Sequence, residues 1–107
     1  MSLKSKLRLE KYRSIKSDPA NKLYFDENEF NAMGYRLMVK GKMKSAKEIF
    51  KLNVELHPDS ANAYDSLAES YMKSGDTKNA IENYKKSLEL DPQNANAREM
   101  LKKLEKK

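Results

Sequence analysis

The sequence predicts an all-α protein made of a repeated pair of helices. Three observations predict this fold. The chain matches itself at a shift of 34 residues, apolar residues in each copy recur every three or four positions, and each copy is divided by a glycine and closed by a proline. Hydrophobic residues make up 38% of the chain. A thin array of helix pairs needs less apolar content than a single compact core, so this composition fits the prediction.

The repeat aligns residues 27–60 with residues 61–94 without a gap, and ten of the 34 pairs are identical. A third copy begins at Ala95 and stops after one helix. The chain therefore divides into two full repeats and a closing helix over residues 95–107. The identical pairs are Asn28/Asn62, Met38/Met72, Gly41/Gly75, Lys44/Lys78, Ala46/Ala80, Glu48/Glu82, Lys51/Lys85, Glu55/Glu89, Leu56/Leu90 and Pro58/Pro92.

Each copy predicts two helices separated by a tight turn. In the second copy, Gly75 supplies the left-handed conformation that ends a helix, and Asp76 or Thr77 can cap the next one. Pro92 closes the copy because proline cannot continue a helix. The predicted apolar stripes are Phe30, Met33, Gly34 and Leu37, then Ala46, Ile49, Phe50 and Val54, in the first copy, and Tyr64, Leu67, Ala68 and Tyr71, then Ala80, Ile81, Tyr84 and Leu88, in the second.

This pattern resembles the tetratricopeptide repeat (TPR) family over residues 27–94, with residues 95–107 as the usual C-terminal capping helix. The shared features are the period of 34, an aromatic, a Leu or Met and a small residue in the first helix, and an alanine, an aromatic and a proline in the second. The resemblance implies a TPR-like α-solenoid. Asn53 departs from it, because the family prefers alanine there. We expect Asn53 to be half-buried with a hydrogen-bond partner, or the packing around it to be looser.

Residues 24–35 and 50–56 also resemble the short TPR tails of some bacterial serine hydrolases, both β-lactamase-like or penicillin-binding enzymes and α/β-hydrolase esterases. That resemblance implies that the chain is a C-terminal fragment of a larger enzyme, located in the periplasm or outside the cell. A free adaptor would be cytoplasmic instead. No part of a catalytic domain is present in the sequence.

Residues 1–26 are predicted to be a basic helix and a linker. The helix spans residues 3–17 and carries +5 of the total charge of +6. Asp18 and Pro19 break it. Tyr24 and Phe25 are expected to pack over the first helix of the first repeat. The basic charges surround the predicted helix instead of forming one face, so a solvated helix is favoured over binding to nucleic acid or a membrane surface.

Several kinds of site are disfavoured by composition. The chain has no cysteine, and no apolar run is long enough to cross a bilayer. The start lacks the pattern of a signal peptide, so we expect the chain as given to be soluble.

His57 is the only histidine, and its position before Pro58 favours a role at a helix boundary over catalysis or metal binding. Gly41 is predicted to end a helix, because no strand or earlier glycine makes its surroundings a phosphate loop. We predict no enzymatic activity, no cofactor and no metal.

The TPR resemblance implies a concave surface lined by the first helix of each repeat. Tyr35 and Met38 are its predicted apolar anchors, and Asp65 and Glu69 make its middle acidic. A peptide with one basic and one apolar side chain would fit this surface. Some TPR proteins clamp acidic chaperone tails, but their cationic positions are occupied here by uncharged residues, so we expect no such clamp. The candidate binding residues are Asn31, Tyr35, Met38, Asn62, Asp65, Glu69, Met72, Lys73 and Asn96.

The sequence therefore predicts a non-enzymatic module that binds a protein or peptide, which could be its own upstream domain. Two and a half repeats bury few residues, so a homodimer is also expected. Two alternatives remain open at this point. One is a structural or dimerising tail of a hydrolase, and the other is a polyanion-binding protein that uses its basic terminal helices.

Overall fold

The computed structural model describes residues 26–106, and every regular element in this part of the chain is an α-helix. The predicted fold class is confirmed: two helix-turn-helix units are followed by one closing helix. The predicted helix over residues 3–17 and the linker with Tyr24 and Phe25 lie outside the described residues, as does Lys107. The helices are α1 (Glu27–Val39), α2 (Met43–Leu56), α3 (Ala61–Lys73), α4 (Thr77–Leu90) and α5 (Ala95–Glu105).

Side chains cap four of these five helices. Each cap residue stands just before its helix and accepts a hydrogen bond from the backbone N–H three residues later, which satisfies one of the free donors of the first turn. Helix α2 is the exception, because Lys42 stands at that position and makes no such bond. The cap bonds are Glu29 N to Asp26 at 2.8 Å, Ala63 N to Ser60 at 3.0 Å, Asn79 N to Asp76 at 3.2 Å and Ala97 N to Asn94 at 3.2 Å.

The turns inside the two repeats have the predicted geometry. Gly41 and Gly75 adopt positive φ angles of 79° and 86°. A left-handed residue of this kind ends a helix with little strain only when it is glycine. The second helix of each unit ends two residues before its proline, at Leu56 and at Leu90.

Consecutive helices pack against one another, and α1 also touches α3. The small residues of the predicted apolar stripes are all buried, namely Gly34, Ala46, Ala68 and Ala80. The tightest approach is at Gly34, where an added Cβ would overlap the ring of Phe50. Among helices α1 to α5, none is long and apolar enough to span a membrane. The buried clusters are Phe30, Ile49 and Leu52; Ala46, Phe50 and Leu67; and Ala68, Ala80, Tyr84, Ala97, Leu101 and Leu104.

Asn53 makes the hydrogen bond expected of it and is more deeply buried than predicted, with no exposed surface. Its Nδ2 donates to the backbone oxygen of Glu27 over 3.2 Å. The corresponding residue of the second repeat, Ser87, donates to the backbone oxygen of Ala61 over 2.8 Å. Both repeats therefore tie the second helix to the first residue of the helix before it. In the described part of the chain, Asn53 Oδ1 is buried without a hydrogen-bond partner.

Candidate interaction face

Side chains of the three first helices, α1, α3 and α5, meet across one surface. Tyr35 on α1 bonds to α3, and Asp65 on α3 bonds to Asn96 on α5. The 34-residue period brings these positions together, because it places successive first helices side by side. We call this surface the first-helix face and define it by Asn31, Tyr35, Asp65, Glu69, Lys73 and Asn96.

Tyr35 is held at the junction of α1 and α3. Its hydroxyl donates to Glu69 Oε1 over 3.0 Å and lies 3.2 Å from Ser66 Oγ. Its ring meets that of Phe50 edge-on, with centroids 5.2 Å apart and planes at 69°. Burial, aided by the negative charge of Glu69, raises the pKa of Tyr35 to about 12. The phenol therefore stays neutral and fixed, although the residue is only half-buried.

Asp65 is the least compensated charge on the first-helix face. Its carboxylate accepts hydrogen bonds from Asn96 Nδ2 at 3.0 Å and Asn94 Nδ2 at 3.4 Å. Within residues 26–106, no lysine or arginine forms an ion pair with it. Burial raises the pKa of Asp65, and the nearby carboxylate of Glu69 raises it further, while the two amides oppose the shift.

Glu69 has stronger partners than Asp65. It accepts the Tyr35 hydroxyl on Oε1, and Lys73 lies 3.2 Å from Oε2, one helical turn away on α3. Lys73 is about half exposed, so this ion pair is partly screened by water. The centre of the face therefore carries two carboxylates and one ammonium group.

The other four predicted site residues take no part in the hydrogen bonds and the ion pair described above. Met38 is half-buried and packs against the cluster of Phe50, and Met72 packs against the cluster of Tyr84. Asn31 is half-buried, and its Oδ1 has no hydrogen-bond partner among the described residues. Asn62 is exposed. The structure thus places five of the nine predicted residues in two bonded groups, one of Tyr35, Glu69 and Lys73 and the other of Asp65 and Asn96.

Sequence reasoning missed the part that Asn94 plays. Asn94 caps α5 with its Oδ1, and its Nδ2 reaches both Ser87 at 2.8 Å and Asp65. The capping role could have been read from the repeat, since Asn94 aligns with the cap residue Ser60. The second role depends on how closely α4 and α5 approach α3, which the spacing does not show.

A second polar group lies between α2 and α3. His57 follows the last residue of α2, and its backbone N–H bonds to Asn53 O over 2.8 Å, as expected for a residue at a helix boundary. The nearby Ser60 hydroxyl donates to Glu27 and also caps α3. Glu27, His57 and Ser60 line a cleft of about 330 Å³ together with Leu56, Pro58 and Asp59. Ser60 is thus engaged in starting a helix.

Comparison with known proteins gives one family match. The family model of the TPR repeat matches residues 68–101, a segment that begins within α3 and ends within α5. This match supports the TPR family for that part of the chain and does not bear on the narrower resemblance to hydrolase tails. TPR repeats are generally protein-interaction modules without catalytic activity. No curated protein matches the chain.

Proposed function

We propose that this chain is a non-catalytic interaction module that binds a peptide segment of a partner protein across its first-helix face. One observation carries the proposal: three successive first helices converge there, and Tyr35 and Asp65 are bonded between them. A surface held in place across repeats is pre-organised for binding, since little conformational entropy is lost when a partner arrives. The TPR match supports protein binding as the class of function.

The charges on the face favour a partner with a basic side chain. Asp65 and Glu69 lie four residues apart, on the same side of α3. An ionised carboxylate offers about four acceptor positions. Asp65 and Glu69 each use two of them for the bonds described above. A lysine or arginine of the partner would fill the remaining positions and would compensate the charge that Lys73 leaves unbalanced.

An apolar side chain of the partner is expected to lie beside that basic residue. Tyr35 presents a fixed aromatic ring, and Met38 supplies flexible apolar surface one turn further along α1. Aromatic anchors of low mobility commonly dominate binding energies at protein interfaces. The proposed ligand is thus a short segment with one cationic and one apolar side chain.

Selection from a random library of short displayed peptides tests this function whatever the partner protein is. We expect the full chain to select peptides rich in Arg or Lys. Glu69→Lys should weaken their binding about tenfold or more, because it places a like charge against the ligand. Glu82→Lys is the matched control, since Glu82 is exposed on α4, away from the first helices. It should leave binding unchanged.

Tyr35→Ala provides an independent readout of the same surface. It should weaken binding of the selected peptides while the helical circular dichroism signal persists. Peptides that bind Tyr35→Ala and Glu69→Lys as well as they bind the unmodified chain would show that the first-helix face is not the binding surface. Peptides whose binding depends on Tyr35 but which carry no basic residue would support the first-helix face as the binding surface. They would contradict the proposed preference for a basic side chain.

A further inference from the structure

Tyr84 carries a hydroxyl group that the fold buries and leaves without a hydrogen bond. The residue is 1% exposed and packs in one cluster with Ala68 of α3 and Leu101 of α5. Among residues 26–106 nothing bonds to its hydroxyl, yet the oxygen is not sealed from the surface. A tyrosine hydroxyl usually has a hydrogen-bond partner when its ring is buried. The Tyr84 hydroxyl is therefore a place where a ligand can supply the missing bond.

The helix register places this hydroxyl beneath the acidic part of the first-helix face. Asn94 Nδ2 joins Ser87 of α4 to Asp65 of α3. Tyr84 lies three residues before Ser87, on the same side of α4. Because α4 runs antiparallel to α3, one turn back along α4 corresponds to one turn forward from Asp65, towards Glu69. Burial raises the pKa of Tyr84, and the negative charges of Asp65 and Glu69 raise it further, as expected for a phenol below both carboxylates.

The matching crevice between α1 and α3 is closed by Tyr35. Its ring contacts Phe50 edge-on, and its hydroxyl bonds to Glu69 and lies against Ser66. In the alignment of the repeats, Phe50 corresponds to Tyr84, and Tyr35 corresponds to Glu69. The crevice between α3 and α5 therefore has a carboxylate at the position of the covering ring, and the ring at its base ends in a hydroxyl.

The walls of this second crevice favour a long cationic side chain. Asp65 and Glu69 supply carboxylates on α3, and the half-buried Met100 supplies apolar surface on α5. The stem of a lysine or arginine can lie along apolar surface while its charged end meets the carboxylates. Lys103 aligns with Glu69 and is exposed on α5, but within residues 26–106 it forms no ion pair with either carboxylate.

We propose that the basic residue of the ligand is an arginine, whose side chain enters the crevice between α3 and α5 and donates a hydrogen bond to the Tyr84 hydroxyl. This inference rests on the proposed function and adds to it a residue that determines specificity. A guanidinium group donates in several fixed directions, so it can bond to the phenol at the base and to a carboxylate at the rim together. An ammonium group is a single compact donor and reaches only one of these levels.

Tyr84→Phe tests the proposal because it removes only the hydroxyl. The first repeat already has Phe50 at the aligned position, so the fold accommodates this ring. The probes are two forms of one library-selected peptide, which carry either Arg or Lys at the basic position and are titrated calorimetrically against the full chain. We expect the unmodified chain to bind the arginine form about tenfold more tightly, as for one hydrogen bond to a charged group. Tyr84→Phe should bind the two forms nearly equally.

Tyr71→Phe is the matched control. Tyr71 packs against the same cluster as Tyr84, but its ring lies 5.2 Å from the ammonium group of Lys47 on α2, a second helix. Loss of its hydroxyl should leave the preference for arginine unchanged. A preference lost equally in both variants would assign it to the packing of the cluster and would overturn the proposal.

The remaining outcomes separate this proposal from the proposed function. Peptides that are weakened by Tyr35→Ala and Glu69→Lys, but keep their preference for arginine in Tyr84→Phe, would support the function and overturn the role of Tyr84. Equal binding of the two peptide forms by the unmodified chain would overturn that role without the need for any variant. A library that yields no binding peptide would contradict the proposed function and the arginine site together.

Discussion

Gly34 shows how one residue sets the distance between α1 and α2. The aligned residue of the second repeat is Ala68, which is buried together with Tyr84. At Gly34 the ring of Phe50 takes the space that a methyl group would need. In the first repeat, glycine therefore stands in place of alanine and allows the aromatic ring of Phe50 to lie closer to the helix.

Gly34→Ala should therefore destabilise the protein, although alanine favours helix formation. Overpacking costs about 1–3 kcal/mol, and the gain in helix propensity offsets about 1 kcal/mol of it. We expect the free energy of unfolding to fall by up to about 2 kcal/mol in urea titrations, the difference between those two effects. In a Phe50→Leu background the same change should be neutral or stabilising. An equal loss in both backgrounds would show that the Phe50 ring is not the cause.

Asp65 makes the opposite contribution to stability from an ordinary capping aspartate. Its pKa is raised in the folded state, so folding favours its protonated form. Below the unfolded pKa of about 3.8, Asp65 is protonated in both states and costs no stability. The free-energy cost of holding its charge in the folded state grows as pH rises from there to the folded pKa. Above the folded pKa this cost is constant. Asp65→Asn should therefore raise the unfolding temperature at pH 7, with a smaller gain below pH of about 3.8.

Asp76 provides the matched comparison. Hydrogen bonds from Asn79 lower the pKa of Asp76, so its contribution is present at neutral pH and is lost as pH falls through that lowered value. Asp76→Asn keeps a good cap residue and should remove this acid-dependent loss. If Asp65→Asn and Asp76→Asn gave the same pH profile, the environment assigned to Asp65 would be wrong. A carboxylate that is charged at a cost to stability fits a role in binding.

The sequence predicted residues whose role lies within one repeat better than residues that join two repeats. Gly41, Gly75 and Asp76 act locally, and turn and cap preferences identify them. The bond from Tyr35 to Glu69 connects positions 34 residues apart, and its partner depends on the distance between helices. Membership of the first-helix face was therefore predictable from the repeat, but its internal bonds were not.

At the scale of the elements, α2 is the helix whose start is least well stabilised. Lys42 takes the position at which Asp76 caps α4, and the two backbones are similar, with φ and ψ of −91° and 64° against −93° and 79°. A lysine cannot accept the hydrogen bond, and its charge opposes the helix dipole. The repeat alignment alone pairs Lys42 with Asp76, so this weakness can be read from the sequence.

Lys42→Asp should stabilise the protein by about 1 kcal/mol, the usual worth of a cap. The new carboxylate would accept a bond from the backbone N–H of Ser45, as Asp76 does from Asn79. Lys42→Gln removes the charge without supplying a short capping acceptor and should give only the smaller dipole contribution. Equal unfolding temperatures for the two variants would mean that the backbone at Lys42 does not permit the cap.

For the whole molecule, the question is whether the two repeats unfold together. Each unit buries few residues, and short arrays depend on the interfaces between neighbouring repeats. Here that interface consists of Phe50 and Ala46 against Leu67, with the bonds of Tyr35 beside it. The largest cluster lies at the other end of the array, between α3, α4 and α5. The first repeat is therefore expected to depend on the second for its stability.

Leu101→Ala tests this dependence. Leu101 is 8% exposed in the cluster of α3, α4 and α5, and its truncation should cost about 2–4 kcal/mol. If the array is cooperative, native-state hydrogen exchange should show equal losses of protection for the slowest amides of α1 and α4, although Leu101 is not in the clusters that bury α1. Losses confined to α3, α4 and α5 would show that the first repeat is stable by itself. In the cooperative case, a partner bound at Tyr35 and Glu69 stabilises both repeats at once. The reason is that Tyr35 belongs to the first repeat and Glu69 to the second, on opposite sides of the interface between the repeats.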